Sequence, residues 1–155
     1  MTAEQDKTVE RVAFIGSSPS SRHLAPFDKP EWEIWGCGPA FQDEGLPCFP
    51  GFPPMRWDRW FEIHDMSEND PEFGSVINPN YWEWLVKQTK PIYYRPPLYK
   101  ELPGLEFPWD AILDKHGGYF LDSTPAWQMA FAYDYFPDIK EIGLYGIDFA
   151  DITER

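Results

Sequence analysis

The chain is 155 residues long and carries a formal charge of -13, acids outnumbering bases 26 to 13. Nucleic-acid affinity comes largely from Lys and Arg displacing counterions, so this balance excludes nonspecific DNA or RNA binding, whereas a small anion held by backbone N–H groups at a helix start stays open. An aromatic share of 18% excludes disorder, and 17 Pro with 11 Gly imply long irregular connections within one domain spanning 1–155.

Residues 1–8 read as a flexible start, polar and acidic, without the basic stretch and apolar run of a signal peptide. Arg11-Val12-Ala13-Phe14-Ile15 is a short β-branched run that stops at Gly16, as a buried first strand does before its loop. The loop Gly16-Ser17-Ser18-Pro19-Ser20-Ser21 offers hydroxyls and, if it opens a helix, free N–H groups suited to a phosphate; ordinary helix capping is the plain alternative. Glu33-Ile34-Trp35-Gly36-Cys37 is a second strand, and Gly38 beyond it permits close backbone approach. The proline-rich stretch 45–54 reads as a loop or flap. A third strand covers 59–64 and ends on His64-Asp65, a helix covers 80–87, and a fourth strand covers 91–94.

Ser123 or Thr124 caps a helix with Pro125 in its first turn and 126–132 as its body, and Pro137 stops it. Glu141-Ile142-Gly143-Leu144-Tyr145-Gly146 is a fifth strand, leading to Asp148. Strands alternating with helices predict an α/β fold: a mainly parallel sheet of about five strands, flanking helices and long Pro- and aromatic-rich loops, with ligands at the carboxyl ends of the strands.

That edge collects the chemistry. His64 and Asp65 suit general-base, ribose or metal work, or form a structural pair. Asp148 suits a ribose contact or the bracing of its neighbouring loop, and Arg22 and His23 add charge beside the serine loop or are simply solvated. Cys37 and Cys48 make neither a disulfide framework nor a zinc spacing, which places the protein in a reducing cytoplasm. With 3 His and none at HxxxH spacing, no tight metal site is expected. No run approaches the ~20 apolar residues that span a bilayer, so no membrane partner is expected.

The order Phe14-Ile15-Gly16-Ser17-Ser18-Pro19-Ser20, Ile34-Trp35-Gly36-Cys37-Gly38, Ser123-Thr124-Pro125-Ala126-Trp127-Gln128 and Gly143-Leu144-Tyr145-Gly146-Ile147-Asp148-Phe149 resembles one superfamily. It is similar to the bacterial sialyltransferase and Maf-type flagellin glycosyltransferase group, itself similar to archaeal hydroxymethylpterin diphosphokinases, and to short phage-encoded relatives, which would place it in the host cytoplasm or the virion. The resemblance implies a Rossmann-like fold in which the first loop and the Ser/Thr helix start hold the nucleotide of an activated sugar without metal, no other cofactor being needed. Carried over, Gly16, Ser17, Ser18 and Ser20 fall on the first loop, Gly38 on the end of strand two, and Thr124 and Pro125 on the helix start; Ser21 and Ser123, beside them, are further candidates for holding the nucleotide. Ser17 and Gly38 stand where the sialyltransferases have Asn, which leaves the donor open.

In those relatives a lid with the catalytic His follows the Gly-Ile-Asp-Phe strand, and the sequence here ends at Arg155. The expectations are therefore three. His64 or Asp65 substitutes as base in a nucleotide-sugar transferase; or the protein is a non-catalytic nucleotide-binding or phage assembly module, alone or in an oligomer; or it is part of something larger. Diphosphokinase chemistry would call on Asp148, Asp151 and Asp122 to hold Mg²⁺.

Overall fold

The computed structural model of the chain describes residues 8–64, 79–98, 100 and 102–148. Asp65, Asp151 and most of the flexible start expected at 1–8 lie outside the described residues. In chain order the elements are β1 (Arg11–Ile15), α1 (Pro19–Arg22), β2 (Glu33–Cys37), a 3-10 helix (Gly38–Asp43), β3 (Arg59–Glu62) and α2 (Pro79–Val86). They continue with β4 (Ile92–Tyr94), β5 (Leu105–Glu106), α3 (Trp109–His116), α4 (Thr124–Tyr135) and β6 (Glu141–Tyr145). The strands form one sheet in the order β5-β4-β3-β2-β1-β6, and every neighbouring pair is parallel. The fold is thus α/β and Rossmann-like, with six strands where about five were expected.

Side chains of a strand alternate between faces, and in this sheet both faces are covered, which is why its strands read as nearly unbroken apolar runs. Ala13, Ile15, Ile34, Trp60, Ile92 and Tyr94 join a first layer with Phe27, Trp57, Tyr81 and Leu85. Val12, Phe14, Trp35, Phe61 and Tyr93 join a second with Phe107, Ile112, Trp127 and Phe131. Therefore α2 packs on one face and α3 with α4 on the other. Among the described residues no helix is long and apolar enough to cross a membrane.

The differences from expectation are local. The two-residue β5 is too short to carry a periodicity, and the third strand stops at Glu62 rather than His64. The helix expected at 126–132 runs on to Tyr135, and Phe136 at its end packs edge-on against Trp35. α4 follows β5 and precedes β6, so its N-terminus lies at the carboxyl edge, where the strand ends also deliver Gly16, Gly38 and His64.

Gly36 is required by contact: a Cβ there would lie 2.3 Å from the indole of Trp60, which is itself fully buried. Gly36→Ala should cost about 1–3 kcal/mol by overpacking. Urea unfolding would show a lower midpoint with an unchanged slope, and an unchanged midpoint would contradict this packing.

Candidate active site

In an open parallel sheet the ligand crevice forms where strand order reverses, here between β1 and β6. The protein fills that crevice with its own groups. The Gly16 N–H donates to the Tyr145 carbonyl at 2.9 Å and the Ser18 N–H to the Gly146 carbonyl at 3.0 Å. The Gly146 N–H donates to Ser21 Oγ at 2.8 Å. A Cβ on Gly16 would fall 2.4 Å from the Gly146 carbonyl oxygen, and Gly146 itself has φ +64, so both positions need glycine.

Ser18 caps α1 through the Ser20 N–H, and the Ser18 and Ser20 hydroxyls both donate to the Asp148 carboxylate, Ser20 at 2.7 Å. Those hydrogen bonds favour the charged form and hold the Asp148 carboxyl below its ordinary range. Of the two roles expected for Asp148, the contacts are those of a brace. The hydroxyls of Ser18, Ser20 and Ser21 are engaged within the protein, and Ser17 is exposed, its carbonyl accepting from Arg22. Arg22 is buried and ion-paired with Asp43, while the His23 ring stands edge-on to Phe49 and Phe52.

Two strands away, the end of β3 carries a different constellation. Glu62 is 1% exposed, and a carboxylate so buried needs a donor for each oxygen. Oε1 accepts from the His64 backbone N–H at 3.0 Å and from His64 Nδ1 at 2.6 Å. Oε2 accepts from the Tyr81 hydroxyl at 2.7 Å, and the Trp60 indole N–H donates to that hydroxyl at 2.8 Å. With Nδ1–H donated to Glu62, the imidazole presents Nε2 as its basic nitrogen, and the side chain is 38% exposed. This is the arrangement of a base held in one tautomer by a buried acid.

Burial, with Glu62 second, pushes the Cys37 thiol up to about 12 and raises Tyr94 and Tyr81 as well. The Cys37 thiol lies 3.7 Å from the Ile15 carbonyl, and burial disfavours its thiolate.

At the start of α4, the Ser123 side chain makes no capping bond, the first turn holds no acid, and the Ser123 carbonyl accepts from Ala126 and Trp127. Gly38, at φ +56, opens the 3-10 helix with free space around its Cβ position.

The expected site residues thus share one edge but form three groups. Gly16 to Ser21 with Asp148 make a closed brace. His64 lies about 10 Å from that brace, two strand spacings along the edge. Ser123 and Thr124 belong to the helix on the opposite layer. Glu62 was missed by sequence reasoning, and its signal was available: an acid two residues before His64, in register with Trp60 on a short strand that is otherwise Arg-Trp-Phe. Among the described residues no three His, Cys, Asp or Glu side chains gather as a metal group. A hollow of about 1070 Å³ lies between Phe120, Met129, Tyr133, Pro137 and Ile142 and reaches Ala126 in the first turn of α4, but none of the expected site residues lines it.

Because Asp148 titrates lower when folded, the stability its network contributes is full above the unfolded value of about 3.9 and is lost as pH falls through the lower folded value. A carbon-detected NMR titration should place its midpoint below that of a free Asp, and Ser18→Ala with Ser20→Ala should restore the ordinary value. An ordinary midpoint in the unaltered protein would contradict the brace. Compared with protein-family models, curated proteins and solved structures, the chain matches none.

Proposed function

We propose that the protein is a metal-independent transferase that uses a nucleotide-activated donor, the transferred unit being a glycosyl group, with His64 as general base. The observation that carries the reading is the buried Glu62 carboxylate bonded to His64 Nδ1 at the carboxyl edge. In the reaction Nε2 takes the proton of an acceptor hydroxyl as its oxygen bonds to the anomeric carbon. The bond from that carbon to the donor phosphate breaks, and the nucleotide leaves with the electron pair. Glu62 keeps Nε2 as the accepting nitrogen and stabilises the imidazolium that forms. The donor's phosphate is assigned to the α4 end, where the Ser123 side chain makes no capping bond and Thr124 begins the helix.

The choice of donor class rests on the resemblance of the Gly16-to-Ser21 loop and the Ser123-Thr124-Pro125 start to the sialyltransferase and Maf-type group. One observation favours the second reading, a non-catalytic nucleotide-binding module: Asp148 occupies the serine hydroxyls on which a phosphate would otherwise rest.

The test is transfer or hydrolysis across a nucleotide-sugar panel in EDTA, with calorimetric binding alongside. His64→Ala should lower turnover ~10²–10⁴-fold while nucleotide affinity stays nearly unchanged. Unchanged turnover in the variant overturns the role of His64. Nucleotide binding without turnover in the unaltered protein selects the module, and duplex DNA binding at physiological salt with no nucleotide bound defeats both readings.

A further inference from the structure

On α4, Ala126, Met129, Ala130 and Tyr133 recur at spacings of three and four residues and so share one face of the helix. Alanine at two of the four positions leaves that face shallow, and the space over it is the hollow of about 1070 Å³, bounded also by Phe120, Pro137 and Ile142. A concave, mainly apolar space of that size suits one small molecule better than a flat protein contact does. Its walls are wet as they stand, Phe120 being 74% exposed and Tyr133 75%. Exposed apolar side chains gathered around a groove mark a place where something else is buried.

The charged end of the hollow is built by the last turn of α3. Lys115 and His116 line it, and no carboxylate does. Asp134, which holds both of them, is turned away: its side chain is 8% exposed, Oδ1 accepts from Lys115 Nζ at 2.5 Å, and Oδ2 is bonded to His116 Nε2 at 2.9 Å. Both oxygens of that carboxylate are engaged, so neither competes for a ligand. The Lys115 ammonium has three donors and spends one on Asp134. It lies 5.6 Å from the centroid of the Tyr133 ring, its side chain stays 56% exposed, and the bond to Asp134 holds it above the ordinary lysine range, hence charged.

We propose that this hollow binds a monocarboxylic acid with an apolar body, its carboxylate on the Lys115 ammonium and its body along the α4 face against Phe120 and Ile142. Charge complementarity selects the head: in a chain with 26 acidic residues against 13 basic ones, the hollow presents an ammonium and no acid. The lining selects the body, because apart from Lys115 and His116 it is made of apolar and aromatic side chains and one glycine. A second copy of the chain is a poorer occupant, since a formal charge of -13 on each copy opposes their approach. The site is independent of the transferase reading, whose residues do not line it.

The experiment titrates the full chain by calorimetry with 2-naphthoate and with decanoate, each beside its uncharged primary amide, and follows the oligomeric state by sedimentation. One acid or both should bind, ~10-fold tighter than the matching amide; naphthoate marks an aromatic body and decanoate an aliphatic one. Lys115→Met, a change at an exposed position that the fold should tolerate, should weaken the acid ~10-fold and leave the amide unchanged, while Lys115→Arg should keep the preference for the acid. Ala126→Phe, which fills the hollow, should weaken acid and amide alike. No binding of either acid by the unaltered protein, equal affinity for acid and amide, or an acid affinity indifferent to Lys115→Met overturns the site. A dimer that excludes both acids and dissociates in Ala126→Phe also overturns it, in favour of a second copy.

Discussion

Burying the Glu62 carboxylate is the constraint around which the middle of the carboxyl edge is arranged. An acid at 1% exposure would be costly by several kcal/mol if unpaired, so the surrounding elements have to supply donors. They come from three places: the backbone and ring of His64 just past β3, the hydroxyl of Tyr81 on α2, and behind it the Trp60 indole. Each donor also orients its owner. Tyr81 is drawn against Phe41 and Trp84, and His64 is turned so that one nitrogen faces inward. The raised Cys37, Tyr81 and Tyr94 values follow from burial first and this carboxylate second.

The crevice between β1 and β6 answers to a different demand. Gly16 and Gly146 let the two loops approach until backbone bonds join them, and Asp148 then gathers the Ser18 and Ser20 hydroxyls. A carboxylate is thus placed where a phosphate would compete for the same donors. The start of α4 lies on the other layer, while His64 lies on the first layer with Tyr81.

Much of this was legible in the sequence where one signal dominated. Behind one charged residue each, the runs Arg11–Ile15 and Glu33–Cys37 are apolar and stop before Gly16 and Gly38, and both strands occur with those bounds. Pro125 after Ser123 marks a helix start that the structure keeps. What escaped was short or depended on distant partners. β5 has two residues, and α3 mixes Trp109, Ile112 and Leu113 with three charged residues in a single short segment. Glu62 reads as an exposed strand acid until Tyr81, nineteen positions later, is known to cover it. Asp148 reads equally as a ligand group or a brace, because nothing local tells that two serines far back in the chain will donate to it.

The central claim is that Glu62 fixes His64 as an Nδ1–H tautomer with Nε2 as the base. Nitrogen-15 NMR of the imidazole in the full chain, above its titration, tests this most directly. The account predicts a protonated Nδ1 and a bare Nε2 in the unaltered protein, with that preference lost in Glu62→Gln. An Nε2–H tautomer, or a tautomer ratio that Glu62→Gln leaves unchanged, would contradict it.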